Sequence, residues 1–128
     1  MIQQFTISEL PAEAPMSIYA GDDVEIPFVL EEGEAPNYTP IDITGFVFTL
    51  RIEKTRDSLD PLVLTTTGGG IPITSGAGGA GKIVFTSTQS AALDVSEPLR
   101  YEFSYVDTSN KKKTLNVGPF KAVKRRAS

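Results

Sequence analysis

Neither cysteine nor histidine occurs among these 128 residues. Without cysteine no disulfide can staple the fold, and thiolate zinc or iron–sulfur centres are excluded. Without histidine there is no Ser-His-Asp or Cys-His pair, no imidazole base poised near neutral pH and no ordinary zinc site. An enzyme built from this chain would have to run on carboxylates, lysine or tyrosine alone. Long apolar runs are missing as well, none approaching the ~18 residues of a membrane-spanning helix. The opening Met1-Ile2-Gln3-Gln4 shows no basic stretch leading into an apolar one, so no secretory signal is expected. Lys and Arg are absent from residues 1–44, which hold nine acidic side chains from Glu9 to Asp42.

The length suits one domain, and 40% hydrophobic with 22% charged residues belongs to a globular chain rather than a disordered one. The net charge of −4 conceals a polarity. Against the nine acids of residues 1–44, residues 107–128 carry seven basic groups (Lys111, Lys112, Lys113, Lys121, Lys124, Arg125, Arg126) and only Asp107 as an acid, a balance of +6. Such asymmetry suits contact between neighbouring copies; solvated ends are the plainer reading.

Apolar residues recur with a period of two. Val24, Ile26, Phe28 and Leu30 share one side of Asp23–Leu30, and Phe46, Phe48, Leu50 and Ile52 share one side of Phe46–Glu53. Ile83 and Phe85 pair within Lys82–Thr86, and Leu99, Tyr101, Phe103 and Tyr105 oppose Arg100, Glu102 and Ser104. Strict alternation marks half-buried antiparallel strands. Weaker strands are predicted at Phe5–Ser8, Leu62–Thr66, Ile71–Thr74 and Thr114–Val123, the last bent near Gly118-Pro119. Turn residues separate the runs at Gly21-Asp22, Glu32-Gly33-Glu34, Thr44-Gly45, Asp57–Pro61 and Ser109-Asn110. Seven to nine such strands predict an all-β, immunoglobulin-like antiparallel Greek-key sandwich. Ser87–Leu93 interrupts the pattern with helix formers behind a capping hydroxyl and predicts one helical turn, Leu93 closing the sandwich edge. The organisation expected is an extended arm over 1–19, the sandwich over 20–123 and a basic tail over 124–128.

Candidate motifs give way on inspection. Gly76-Ala77-Gly78-Gly79-Ala80-Gly81-Lys82 fits most of a phosphate-binding loop, but Ile83 stands where Ser or Thr would hold magnesium, and a strand follows where a helix is needed. Ser109-Asn110-Lys111-Lys112 matches the S-x-x-K of serine β-lactamases by chance, at a hairpin tip. Asp22, Asp23 and Glu25, or Glu31, Glu32 and Glu34, lack the spacing of a calcium loop. Asn37-Tyr38-Thr39 matches a glycosylation acceptor without a secretory context. Lys124-Arg125-Arg126 is too small a basic patch for nucleic acid. Tyr19, Tyr38, Tyr101 and Tyr105 would have to share a face to bind sugar, and core packing is the expectation for the last two. No catalytic, cofactor-binding or metal-ligating residue is assigned, and no enzyme activity is expected.

A family likeness emerges from the order of these segments. Gly21-Asp22-Asp23-Val24-Glu25-Ile26-Pro27-Phe28-Val29-Leu30 followed by Pro40-Ile41-Asp42-Ile43-Thr44-Gly45-Phe46 resembles the opening of immunoglobulin-like phage virion domains, among them the amino-terminal domains of siphophage baseplate upper proteins. Gly81–Thr86, Thr88–Leu93 and Leu99–Phe103 resemble that family's next segment, so the likeness spans residues 20–123. The chain departs from the family in its glycine-rich hairpin, and no receptor-binding or fibre region is expected after the sandwich. The resemblance implies a structural part of a tailed-phage virion, assembled in the host cytoplasm. Its partners would be capsid or tail proteins and copies of itself, with no nucleic acid, membrane or small-molecule substrate. The two placements are capsid decoration, favoured slightly by the small size and charge polarity, and a tail or baseplate accessory. The arms would add strands to a neighbour's sheet edge. A carbohydrate-binding or adhesin-like module is the alternative.

Overall fold

The computed structural model describes residues 3–6, 12–34, 37–54, 62–93 and 98–124. In chain order these form β1 (Gln3–Thr6), β2 (Ala12–Glu13), β3 (Met16–Ala20), β4 (Val24–Glu34), β5 (Asn37–Pro40), β6 (Val47–Lys54), β7 (Leu62–Thr65), β8 (Ile73–Ser75), β9 (Ala80–Phe85), the helix α1 (Ser87–Ala92), β10 (Leu99–Val106) and β11 (Lys112–Lys124). One sheet runs β1-β4-β9-β8, with β5 also on β4; the other runs β2-β11-β10-β6-β7, with β3 also on β11. Successive strands change sheet at β1–β2, β3–β4, β5–β6, β7–β8 and β9–α1–β10. The result is an immunoglobulin-like, all-β Greek-key sandwich with one short helical connection.

The alternation predicted for 99–107 becomes the middle of the second sheet, where the backbone is hydrogen-bonded on both edges and the apolar face covers the core. Leu99 to Val106 pairs antiparallel with Lys54 to Val47 on one side and with β11 on the other. A bulge opposite Phe103 and Ser104 leaves Leu115 without a register partner and turns its side chain into the core. Between the sheets Phe28, Phe48 and Phe103 meet at centroid distances of 5.0, 5.3 and 5.7 Å, all fully buried. Burying each such ring is worth about 2 kcal/mol or more, and their tilted, edge-on and stacked contacts add ~0.5–1.5 kcal/mol per pair.

Proline placement follows the ladder. Leu30 directs its N–H to the Gly79 carbonyl, and its own carbonyl accepts from Ile41. Backbone groups alternate along a strand, so Pro27 turns its missing N–H toward the opposite edge, just short of where β1 begins pairing at Phe28. The bend expected at Gly118-Pro119 is the place where β11 changes partner from β2 to β3, with Ala14 and Pro15 crossing between. A Cβ at Gly118 would run into the Ala14 carbonyl, which is why glycine stands there.

Four expectations shift. Met16–Ala20, grouped by sequence with the arm, is a strand of the second sheet with Ile18 in the core. The N-terminal strands pair in parallel, β1 with β4 and β2 and β3 with β11, so the chain's own sheet edges take up the segment expected to reach a neighbour. Glu32-Gly33-Glu34 is not a turn: β4 continues through it and pairs with β5, and Gly33, at φ +115, admits the Asn37 carbonyl at the distance a Cβ would fill. Finally β5 itself was unforeseen. The turn at Asp57–Pro61 and the tail beyond Lys124 lie outside the described residues.

Candidate functional site

The glycine-rich segment shows why a motif needs its context. Residues 76–79 form a turn, Ala80–Phe85 is a strand, and Lys82 pairs with the Glu25 carboxylate on neighbouring β4 at 3.2 Å. Gly79 sits at φ +69, where a Cβ would lie 2.5 Å from the Leu30 carbonyl oxygen and 2.8 Å from that of Ile41. The glycine lets two strands and a loop close together, so its role is structural.

The other candidates resolve similarly. Ser109 and Lys112 belong to the β10–β11 hairpin, where the Asp107 carboxylate accepts from the backbone N–H of Ser109 and Lys111, while the Lys112 ammonium pairs with Glu102. Asp23 accepts from the Ser87 N–H, Glu25 pairs with Lys82, and no group of three acidic side chains among the described residues is placed to hold a metal ion. Tyr101 and Tyr105 lie in the core, while exposed Tyr19 and Tyr38 stand on different sheets. The four tyrosines do not make a sugar platform. Burial raises the Tyr101 phenol's pKa, against the opposing effect of a hydrogen bond from Asn116. Its hydroxyl donates to the Ala14 carbonyl at 2.7 Å, pinning the N-terminal segment to the sheet.

Two open depressions mark the second sheet. One, of about 480 Å³, is apolar and lies between Pro15, Pro98 and Pro119 over Met16, Leu99 and Phe120. The other, of about 450 Å³, lies on the outer face, where Arg51 stands opposite Glu102 and Glu53 opposite Arg100. Arg51 and Glu53 meet at 3.0 Å, and Glu102 pairs with Lys112 at 3.1 Å. Ser17 and Lys121, register partners on β3 and β11, also line the first hollow, both of them exposed.

What distinguishes the molecule is instead its two ends. At one, Ser90 is fully buried and its Oγ accepts from the Gly21 N–H at 2.9 Å and donates to the Asp22 carbonyl at 2.7 Å. Thr86 and Gln89 form a reciprocal capping box, and Leu93 is buried as expected. At the other end β4 and β5 form a two-stranded ribbon. All four β5 residues are exposed, Tyr38 among them at 43%. The sequence signal for this strand was Asn-Tyr-Thr held between Pro36 and Pro40, a short β-prone run with proline at its borders. Beside the ribbon lies the hairpin carrying Lys111, Lys112 and Lys113, since Val47 pairs with Val106 and Gly45 approaches the Thr108 methyl.

The fold is an immunoglobulin-like all-β sandwich. Among solved structures the chain resembles the N-terminal domain of phage TP901-1 ORF48. The likeness covers 98% of this chain and 97% of that one, with a TM-score of 0.53 and 10% sequence identity, and it bears on the fold. Murine CRIg aligns more loosely, at a TM-score of 0.37 and 11% identity over 91% of this chain and 94% of that one. No family model and no curated protein matches the sequence.

Proposed function

We propose that the chain is a non-enzymatic structural component of a tailed-phage particle, acting by binding other virion proteins. The observation that carries this reading is the end-to-end correspondence with a phage protein's N-terminal domain. The segment order from Gly21 to Phe103, which resembles immunoglobulin-like virion domains, points the same way. Small size and charge polarity lean toward the head surface; against them we set the resemblance of the segment order to baseplate upper proteins, and on that ground take the tail as the placement to test.

The physical basis is a stable scaffold with binding surfaces at its periphery. A core shared by both sheets keeps the shape rigid, so a partner can be held without an ordering cost in the sandwich itself. Symmetric repetition in a particle then multiplies modest contacts by avidity. Placing the protein requires particles of the phage that encodes it, purified by density gradient, with the chain quantified by mass spectrometry and cross-linked to its neighbours. The expected result is a fixed copy number per particle with cross-links to tail proteins. Infectious particles that lack the chain, made by cells that contain it, would refute the virion role. Cross-links to the major capsid protein alone would move it to the head.

A further inference from the structure

The β4–β5 ribbon is an unusual thing to leave in water. A two-stranded hairpin without further packing is marginally stable, and β5 pairs with nothing beyond β4 among the described residues. Its charge is one-sided: Glu31 and Glu32 have no cation on the ribbon, because the first basic residue of the chain is Arg51. On the adjoining hairpin Lys111 and Lys113 take part in no ion pair among the described residues, Lys112 alone being paired.

Three features restrict what can cover this end. Because Leu30 faces Gly79 and Ile41, alternation turns the backbones of Tyr38 and Pro40 to the ribbon's outer edge. Pro40 has no N–H to offer, so edge-to-edge zipping of β5 onto another strand is blunted. Ribbon on ribbon would oppose acid to acid, which is repulsive. Ribbon on lysine hairpin is complementary. The acidic ribbon and the lysine hairpin occupy the same end of one molecule, and Glu32 is close enough to Tyr105, the register partner of Lys113, to help raise that phenol's pKa, after burial and Asp107.

We infer that two copies of this chain associate through this end about a two-fold axis, the ribbon of each, with Tyr38, lying on the Lys111–Lys113 hairpin of the other. An isologous contact requires a patch and its complement on one surface, and that is how these two are arranged. The inference goes beyond the virion reading and does not depend on it: a monomer in solution would leave the particle assignment untouched, and absence from the particle would leave the dimer untouched.

The test uses the full-length protein in sedimentation or light-scattering measurements. Wild type is expected to be dimeric at about 0.05 M salt and to dissociate toward monomer at about 0.5 M, as ion-dependent contacts do. The double variants Lys111→Glu/Lys113→Glu and Glu31→Lys/Glu32→Lys should each be monomeric at low salt, because each loses the opposition of sign between ribbon and hairpin. Mixed together they should form a one-to-one heterodimer, which also shows that both are folded. Tyr38→Ala should weaken the wild-type dimer at least tenfold without changing its salt dependence. Wild type that is monomeric at low salt, open chains instead of a closed dimer, or variants that self-associate like wild type would each overturn the proposal.

Discussion

The two ends of this sandwich are held by opposite strategies. At the helix end the polar bonds join segments far apart in sequence: Ser90 to Gly21 and Asp22, and Asp23 to Ser87, across 64 to 69 residues. At the hairpin end the side-chain bonds are local. Asp42 accepts from the backbone N–H and the hydroxyl of Thr44, two residues away, and Asp107 accepts within its own turn. Long-range bonds make the helix end part of the fold's closure, so it resists alteration. Local turns keep their shape whatever lies beyond them, which frees the hairpin end to carry charge and exposed surface for contact. The base of that end is tied over longer range by the backbone, the Leu30 N–H to the Gly79 carbonyl and the Ile43 N–H to the Gly76 carbonyl.

The comparison breaks first at that base. Gly79→Ala puts a methyl against two carbonyl oxygens in a left-handed conformation, and a loss of about 3 kcal/mol is expected by chemical denaturation. Gly69→Ala is the control: φ is +86, yet nothing lies within 4 Å of its Cβ, so about 1 kcal/mol should be lost for conformation alone. Equal losses at both positions would show that close approach contributes nothing at Gly79. Next in size is Ser90→Ala at the closed end. It strips the Gly21 N–H of its acceptor in a part-buried site and should cost about 2 kcal/mol. A loss below about 0.5 kcal/mol, the range of ordinary surface changes, would mean that the helix end is not closed in the way described.

Where the sequence was readable, one periodicity or one short motif carried the information. The row Leu99, Tyr101, Phe103, Tyr105 announces its inward face without any partner strand, because alternation is a property of the strand itself. The helical turn is equally local, with Thr86 and Gln89 three residues apart. Ser90 was legible as a helix residue but not as a buried junction, since its partners lie nearly 70 positions earlier. The ribbon was misread at Glu32-Gly33-Glu34 because glycine between acids has the composition of a turn. Only the approach of the Asn37 carbonyl explains the glycine as part of a pair of strands. Met16–Ala20 was hidden for a related reason. Of its side chains Ile18 alone is fully buried, and the strand exists because β11 offers it an edge.

The smallest expected effect tests whether the local turns depend on charge. The Asp42 carboxyl is held below its ordinary pKa by hydrogen bonds from Thr44, the hydroxyl first and the backbone N–H second, against a slight opposing effect of desolvation. A carboxyl whose pKa is lower folded than unfolded binds its proton more weakly in the native state. It therefore contributes stability that is complete above the unfolded carboxylate pKa and disappears as pH falls through the folded value. Asp42→Asn keeps the shape of the turn and removes the charge. The difference in Tm between wild type and this variant should favour wild type near neutral pH, stay level down to about pH 5, and shrink toward zero in stronger acid. Other carboxyls titrate alike in both proteins and cancel in the difference. A gap that does not change with pH would mean that the turn is held by its hydrogen-bond geometry alone, and the hairpin end would then be as indifferent to its own charge as the contrast with the helix end requires it not to be.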